Sequence, residues 1–204
     1  MRIIGLTGGI ACGKSTVSAY LQKKGAYIID GDAIAKKLSK PYEPIWNAYV
    51  EHFGKKILNE DNSLNRRLIG QIVFTNNQEK LWMNSTMHPL IKTAILSEID
   101  QCKQDEIEIV ILDIPLLYEA GWDKLVDEVW VVQIDRQLQI KRIQERDNLS
   151  KEEAISRIEA QMSVEEKAKR ADIVIDSSNA PEITLRLVDK IWNERLGKGL
   201  KIDV

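Results

Sequence analysis

The sequence is poor in the residues that cross-link small folds or bind zinc. Its 204 residues include two cysteines, Cys12 and Cys102, and two histidines, His52 and His88. A disulfide scaffold needs more cysteines than this, and a structural zinc site needs closely spaced cysteine or histidine ligands. The composition therefore argues against both classes.

Long apolar runs and an excess of one charge are also missing. The chain has no run of about 18 apolar residues, and the apolar start at 1–10 is short and interrupted by Gly8 and Gly9. The net charge of −2 argues against a protein that binds nucleic acid over its whole surface. We expect a cytoplasmic protein with no nucleic-acid, membrane or obligatory protein partner.

Five short apolar segments rich in β-branched residues alternate with amphipathic helical patterns. Near-continuous apolar runs are typical of parallel strands that are buried on both faces, and the alternation indicates an α/β fold. Helix limits are marked by Gly25, by the capping-box pattern that starts at Ser150, and by Pro181. The predicted strands are 3–6, 27–29, 107–112, 129–134 and 173–175.

One segment breaks this alternation. No convincing strand occurs between residues 32 and 104, where 68–74 and 90–99 have helical patterns. We predict one chain-long domain with a sheet core at about 1–31, 105–135 and 170–204. A helical insertion would occupy about 32–104, and a helical lid about 136–169.

Residues 8–15, GGIACGKS, fit the phosphate-binding pattern G-x-x-x-x-G-K-[ST]. The two outer glycines let the backbone curl so that successive N–H groups point at phosphate. The lysine reaches the β- and γ-phosphates, the serine hydroxyl is suited to Mg²⁺, and the following helix N-terminus adds positive potential. A predicted strand before the loop and a helix after it fit this context. The pattern predicts binding of a nucleoside triphosphate.

Carboxylates follow two predicted strands at the edge where a parallel sheet binds ligands. Asp30 and Asp32 come after the second strand, and Asp113 ends the third. With Ser15, Asp113 is a candidate Mg²⁺ ligand, and a strand-end turn residue is the alternative. Asp30 and Asp32 could hold Mg²⁺ or its waters or accept a hydroxyl proton, and for Asp32 an N-cap of the next helix is the alternative.

Two groups of basic residues follow the fourth strand. Arg142 and Arg146 are four residues apart and share a helix face, which indicates a closing lid that brings cations to ATP. A solvated helix surface is the alternative. The run KAKR at 167–170 is predicted to be a solvated helix end. The pattern D-x-x-G and the guanine-binding N-K-x-D of switch GTPases are absent, so a small kinase is favoured.

Further motifs follow in order along nearly the whole chain. GLTGGI at 5–10 leads into GKST at 13–16, and IIDGD lies at 28–32. An HP pair lies at 88–89, PLLYE at 115–119, Gln161 on the helix expected after the one with Arg142 and Arg146, and an AD pair at 171–172. The ordered set resembles the dephospho-CoA kinase family, and PLLYE is its most specific member.

The resemblance implies a P-loop kinase core with a five-stranded parallel sheet, a helical acceptor domain and a helical lid. The implied reaction is ATP-dependent phosphorylation of the ribose 3′-hydroxyl of dephospho-CoA, which gives CoA and ADP in the last step of coenzyme A biosynthesis. Asp32 would be the catalytic base, and Lys14 and Arg142 would also be catalytic. ATP would come with Mg²⁺ and would be bound by Ala11, Cys12, Gly13, Lys14, Ser15, Thr16, Arg142 and Arg146. The implied acceptor residues are Asp32, Arg66, His88, Leu116, Leu117, Tyr118 and Glu119. For His88, a helix cap is the alternative.

The chain departs from the family pattern in the phosphate loop and after the last strand. Ala11 and Cys12 replace a usual Gly-Ser, and we expect the loop to avoid a strongly positive φ at Ala11 because of its Cβ. Cys12 is either a small tolerated side chain or a thiol with a lowered pKa near Lys14. Ser177 replaces a frequent Asn near the adenine, which bears on base selectivity.

Two other functions are compatible with the same loop. A kinase for another small molecule would keep the loop and differ in its acceptor. A regulatory nucleotide-binding module would bind ATP without turnover, but the presence of Lys14, Ser15, Asp32 and Arg142 together argues against it.

Overall fold

Five strands form one sheet in the part of the chain that this computed structural model describes, residues 1–197 without the side chain of Phe74. Residues 198–204 of the predicted core lie outside the described residues. All five predicted strands are present, with ends shifted by at most two residues. The sheet order is β2-β3-β1-β4-β5. The strands are β1 (Arg2–Gly8), β2 (Tyr27–Asp30), β3 (Ile109–Asp113), β4 (Glu128–Gln133) and β5 (Ile173–Asp176).

The central strands have the burial that their apolar runs predict. Every residue of β3 and the first five of β4 are buried. β1 pairs in parallel with both, so that Leu6 lies opposite Asp113 and Gly8 opposite Val132. The carboxyl ends of β1, β3 and β4 therefore share one edge of the sheet, and the chain segments that follow these strands begin there.

The predicted helix limits at Gly25, Ser150 and Pro181 are confirmed. Gly25 follows the first helix with a φ of 100°, Pro181 opens the last one, and Ser150 forms a complete capping box with Glu153. Among residues 1–197, no helix has both the length and the apolar character that a membrane crossing needs. The helices are α1 (Lys14–Lys23), α2 (Gly31–Leu38), α3 (Pro44–Phe53), α4 (Arg66–Thr75), α5 (Asn77–Gln104), α6 (Arg136–Asp147), α7 (Lys151–Glu159), α8 (Val164–Arg170) and α9 (Pro181–Arg195).

The chain forms two compact units. The sheet unit contains residues 1–28 and the chain from 107 onward, and the helical unit contains 29–106. The helical unit holds α2 to α5 and one isolated antiparallel bridge, between Leu58 and Leu64. Helix α5 is longer than predicted and includes Pro89, which cannot donate a backbone hydrogen bond. The α/β class with a parallel sheet is confirmed, and the predicted limits of insertion and lid stay predictions.

The capping box of α7 provides a test of local helix stability. The Ser150 Oγ accepts from the Glu153 N–H at 3.1 Å, and the Glu153 carboxylate accepts from the Ser150 N–H at 2.8 Å. Ser150→Ala should lower the free energy of unfolding by about 1 kcal/mol, measured by urea denaturation. Ser156→Ala, at an exposed position inside the same helix, is the matched control and should be neutral or slightly stabilising. Equal effects of the two substitutions would contradict the capping role.

Candidate active site

The phosphate loop connects β1 to α1 as its sequence pattern predicts. Gly13 is the N-cap of α1 with a φ of 83°. The Thr16 N–H donates to the Gly13 carbonyl oxygen at 3.0 Å and closes the first turn of the helix. A Cβ at Gly8 would lie 2.5 Å from the Val132 carbonyl oxygen, so this strand pairing requires glycine. The loop therefore depends on both outer glycines of the pattern, one for close approach and one for its left-handed φ.

The expected backbone conformation at Ala11 is wrong. Its φ is 58°, in the left-handed region that the expectation excluded. An L-residue with a Cβ pays about 1–2 kcal/mol for this conformation. The loop geometry is evidently fixed by its surroundings strongly enough to hold an alanine there.

The hypothesis of a reactive Cys12 thiol is also wrong. The side chain is completely buried, and burial raises the pKa of the thiol although the charge of Lys14 acts in the opposite direction. The Sγ packs beneath the loop, because a Cβ at Gly8 would lie 2.6 Å from it. The alternative, a small side chain that fills space while its backbone serves the loop, fits the structure.

Lys14 and Asp113 form an ion pair at the shared edge of β1 and β3. Asp113 is the last residue of β3, its side chain is 7% exposed, and its carboxylate points at the Lys14 ammonium. This arrangement holds the lysine of the phosphate loop with its charge compensated. It supports a role for Asp113 beyond that of a turn residue, and its Mg²⁺ role stays a prediction.

A cavity of about 460 Å³ lies over the loop, and the predicted lid arginines line it. Arg142 donates to the Ser177 carbonyl oxygen at 3.1 Å. Arg146 donates through two nitrogens to Asp147 at 2.8 and 3.0 Å, and this contact lowers the pKa of Asp147. The structure thus brings both arginines to the pocket, where each already has an acceptor. The lining residues are Ala11, Gly13, Ser15, Arg142, Glu145 and Arg146.

Two buried polar side chains support the loop through contacts that were not predicted from sequence. Gln139 on α6, which no motif marks, is 2% exposed and donates to the Ile10 carbonyl oxygen at 2.8 Å. Ser177, which was expected near the adenine, directs its hydroxyl at the Cys12 carbonyl oxygen, 2.6 Å away. Both residues are distant in sequence from the loop, so no local pattern predicts these contacts. The expected helical position of Gln161 is wrong, because the residue lies between α7 and α8. Its Oε1 is buried and has no hydrogen-bond partner among residues 1–197.

The structure distinguishes the two carboxylates that follow β2. Asp30 is the N-cap of α2, because its carboxylate accepts from Asp32 N–H at 2.9 Å and from Ala33 N–H at 3.0 Å. Asp32 lies in the first turn of α2 and is exposed. The alternative that Asp32 is the cap is therefore wrong, and its assignment as the base stays a prediction.

The helical unit contains a cavity of about 540 Å³ with a largely apolar lining. Of the predicted acceptor residues, Arg66 at the start of α4 lines it, whereas Asp32 and His88 are absent from its described lining. Tyr49 lines it too, and burial raises the pKa of its hydroxyl to about 12. His88 lies inside α5, so the helix-cap alternative for it is wrong.

The PLLYE stretch follows β3 and is mostly committed to contacts inside the sheet unit. Leu117 is fully buried, whereas Leu116 is 40% exposed. The Tyr118 hydroxyl is buried with no hydrogen-bond partner in the described part of the chain, and burial raises its pKa to about 12. Glu119 accepts from Met162 N–H at 3.0 Å. The predicted acceptor role of these four residues stays a prediction.

The expected solvated run at 167–170 is wrong at its first residue. Lys167 has no exposed surface, and its ammonium donates to the Pro115 carbonyl oxygen at 2.6 Å and contacts the Glu119 carboxylate at 2.9 Å. Thr7 on β1 donates to the same carbonyl at 2.9 Å. A buried charge costs solvation unless it is paired, and these contacts supply the pairing. Lys169 and Arg170 are exposed, as expected.

The strand–loop–helix unit, the Lys14–Asp113 pair and the arginine-lined cavity together define a P-loop kinase site. The sequence profile of the dephospho-CoA kinase family matches residues 2–182. The chain belongs to the dephospho-CoA kinase family.

Individual relatives support this placement. The chain is 47% identical over 182 residues to a dephospho-CoA kinase of Carboxydothermus hydrogenoformans, covering 89% of this chain and 88% of that one. It is 45% identical over 197 residues to a dephospho-CoA kinase of Symbiobacterium thermophilum, covering 97% of this chain and 82% of that one. A solved dephospho-CoA kinase from Campylobacter jejuni superimposes with a TM-score of 0.71 at 30% identity, covering 95% of this chain and 97% of that one.

The left-handed φ of Ala11 predicts that glycine at this position makes the protein more stable. Ala11→Gly should raise the free energy of unfolding by up to about 1 kcal/mol, because the relieved strain exceeds the extra unfolded-state entropy of glycine. Ala19→Gly, at an exposed helical position of α1, is the matched control and should lose about 1 kcal/mol. Urea denaturation of both variants measures the difference, and a loss of stability in Ala11→Gly would contradict the strain.

The burial of Lys167 predicts that its substitution destabilises the protein much more than substitution of Lys169, the exposed lysine on the same helix. Lys167→Met should lower the free energy of unfolding by about 3 kcal/mol, because it leaves the partly buried Glu119 carboxylate without its cation. Lys169→Met, at an exposed position, should change it by less than about 0.5 kcal/mol. Denaturant titration compares the two, and indistinguishable midpoints and slopes would refute the pairing.

Proposed function

We propose that the chain transfers the γ-phosphoryl group of ATP to the ribose 3′-hydroxyl of dephospho-CoA, giving CoA and ADP. It would act in the cytoplasm on these two small molecules without a nucleic-acid, membrane or obligatory protein partner. The donor half of this proposal rests on one observation, the phosphate loop with its Lys14–Asp113 pair beneath an arginine-lined cavity. The acceptor half rests on membership of the family.

The donor residues have complementary tasks. Loop N–H groups and the Lys14 ammonium would hold the β- and γ-phosphates, and Arg142 would place a guanidinium near the charge that develops on the transferred group. Arg146 would also bind the phosphates, after its hydrogen bonds to the Asp147 carboxylate are replaced by hydrogen bonds to phosphate oxygens. Positioning and charge compensation account for most of the catalysis that a phosphoryl transfer requires from a protein.

The oxygen donors at the loop suit Mg²⁺. The Ser15 hydroxyl lines the cavity, and the Asp113 carboxylate lies at the same sheet edge as Lys14. Magnesium prefers such hard oxygen ligands, few from the protein and the rest from phosphates and water. When bound, it would neutralise charge on the β- and γ-phosphate oxygens.

Asp32 would act as the base. A ribose hydroxyl is a weak nucleophile, so a carboxylate that accepts its proton speeds the attack. The 3′-oxygen forms a bond to the γ-phosphorus, the bond from that phosphorus to the β–γ bridging oxygen breaks, and ADP leaves with that electron pair. The 3′-hydroxyl proton moves to an Asp32 carboxylate oxygen. The exposure of Asp32 in the first turn of α2 is compatible with this task.

Arg66 and its cavity are candidates for holding part of the acceptor. The cavity combines an apolar lining, including Met83 and Met87, with the cations Arg66 and Lys80. A molecule with an uncharged arm and phosphate groups matches this chemistry. The remaining predicted acceptor residues, His88 and the PLLYE residues Leu116, Leu117, Tyr118 and Glu119, are proposed to support the same substrate.

The two aspartates after β2 offer a matched test. With MgATP and dephospho-CoA, Asp32→Asn should lower kcat by about 10²- to 10⁴-fold with little change in either KM, because proton acceptance matters in the transition state. Asp30→Asn should keep kcat, since asparagine caps a helix as well as aspartate does. Steady-state ADP release measures both. A near-normal kcat in Asp32→Asn would remove it as the base, and ADP release only with another acceptor would overturn the proposed reaction.

A further inference from the structure

Ser177 contacts the phosphate loop, the end of β4 and Arg142. It follows β5 and is 5% exposed. Its hydroxyl lies 2.6 Å from the Cys12 carbonyl oxygen in the phosphate loop and 2.9 Å from the Gln133 carbonyl oxygen at the end of β4. Its own carbonyl oxygen accepts from Arg142 at 3.1 Å. One serine thus contacts the loop, the sheet edge and a lid arginine.

The Ser177 hydroxyl is directed into the protein. A hydroxyl has one hydrogen to donate, and two carbonyl oxygens already lie within reach of it. The side chain is also close to the start of α1, since a Cβ at Gly13 would lie 3.9 Å from the Ser177 Oγ. These contacts favour a role behind the phosphate loop over contact with a nucleotide base.

The loop needs support at this point. Ala11 is held at a φ of 58°, and such a conformation persists only where the surroundings determine it. Cys12 supplies a buried Sγ under Gly8, and its carbonyl oxygen is the one that Ser177 contacts. The hydroxyl thereby holds the peptide between Cys12 and Gly13, whose N–H is one of those predicted to bind phosphate.

We propose that Ser177 is a positioning residue that fixes the phosphate loop and Arg142 relative to each other, and that it does not read the nucleotide base. The proposal deepens the donor side of the proposed function and rests on it. It applies to the phosphate groups of the donor, so its effect should be the same for any ligand that carries them.

A ligand without a base separates the two roles. Mg²⁺-tripolyphosphate presents phosphates alone, and MgATP presents phosphates and adenine. Ser177→Ala should raise the Kd of both by the same factor, about tenfold, from the lost hydrogen bond and the displaced loop. Calorimetry measures MgATP directly and tripolyphosphate by displacement of MgATP.

The matched control is Ser178→Ala, the same substitution one residue later. The Ser178 hydroxyl accepts from Asp135 N–H at 2.9 Å and makes no hydrogen bond to the phosphate loop in the described residues. The Kd values of the Ser178→Ala variant for both ligands should equal those of the unsubstituted chain. Should Ser177→Ala fail to fold, Ser177→Cys keeps the size and a weaker donor, and should raise both Kd values equally by a smaller factor.

Three results are informative. Equal weakening of both ligands by Ser177→Ala supports the positioning role. Weakening of MgATP alone would show that Ser177 contacts the base, and a lowered Tm with both Kd values unchanged would show a role in folding only; either result overturns the proposal. Because binding needs no acceptor, failure of the chain to phosphorylate dephospho-CoA would leave this measurement unaffected.

Discussion

The turn from β1 into α1 is the constraint on which the rest of the sheet unit depends. It has to bring several backbone N–H groups and the Lys14 ammonium to one point, and it does so with Ala11 and Gly13 in left-handed conformations. Like-charged donors and a strained backbone would not hold this arrangement unaided. Asp113 balances the ammonium, and buried contacts from Gln139 and other distant residues hold the loop backbone.

Three cations at the phosphate loop each have an acceptor in the protein. Lys14 contacts Asp113, Arg142 contacts the Ser177 carbonyl, and Arg146 contacts Asp147. In the proposed function, nucleotide binding would be an exchange of partners, in which phosphate oxygens replace protein acceptors. Such preorganisation limits the conformational entropy that binding costs, since these side chains are held near the pocket before the ligand arrives.

Features that depend on neighbouring residues could be predicted from the sequence. Contacts between residues far apart in the chain could not. The strands and the phosphate loop follow from apolar runs and glycine spacing, which act within a few residues. Ser177, Gln139 and Lys167 were missed or misjudged because their roles depend on partners more than 30 residues away in the chain. The errors at Ala11 and Cys12 have the same origin, since tertiary packing fixes the φ of one and the burial of the other.

Phosphorylation of dephospho-CoA at this site can be measured by a competition assay. The purified chain would be incubated with ATP, Mg²⁺ and equimolar dephospho-CoA, adenosine and AMP, with products identified by mass spectrometry. We expect CoA and ADP in equal amounts, with adenosine and AMP unchanged. Phosphorylation of adenosine or AMP in place of dephospho-CoA would contradict the acceptor, and ATP binding without any product would contradict catalysis.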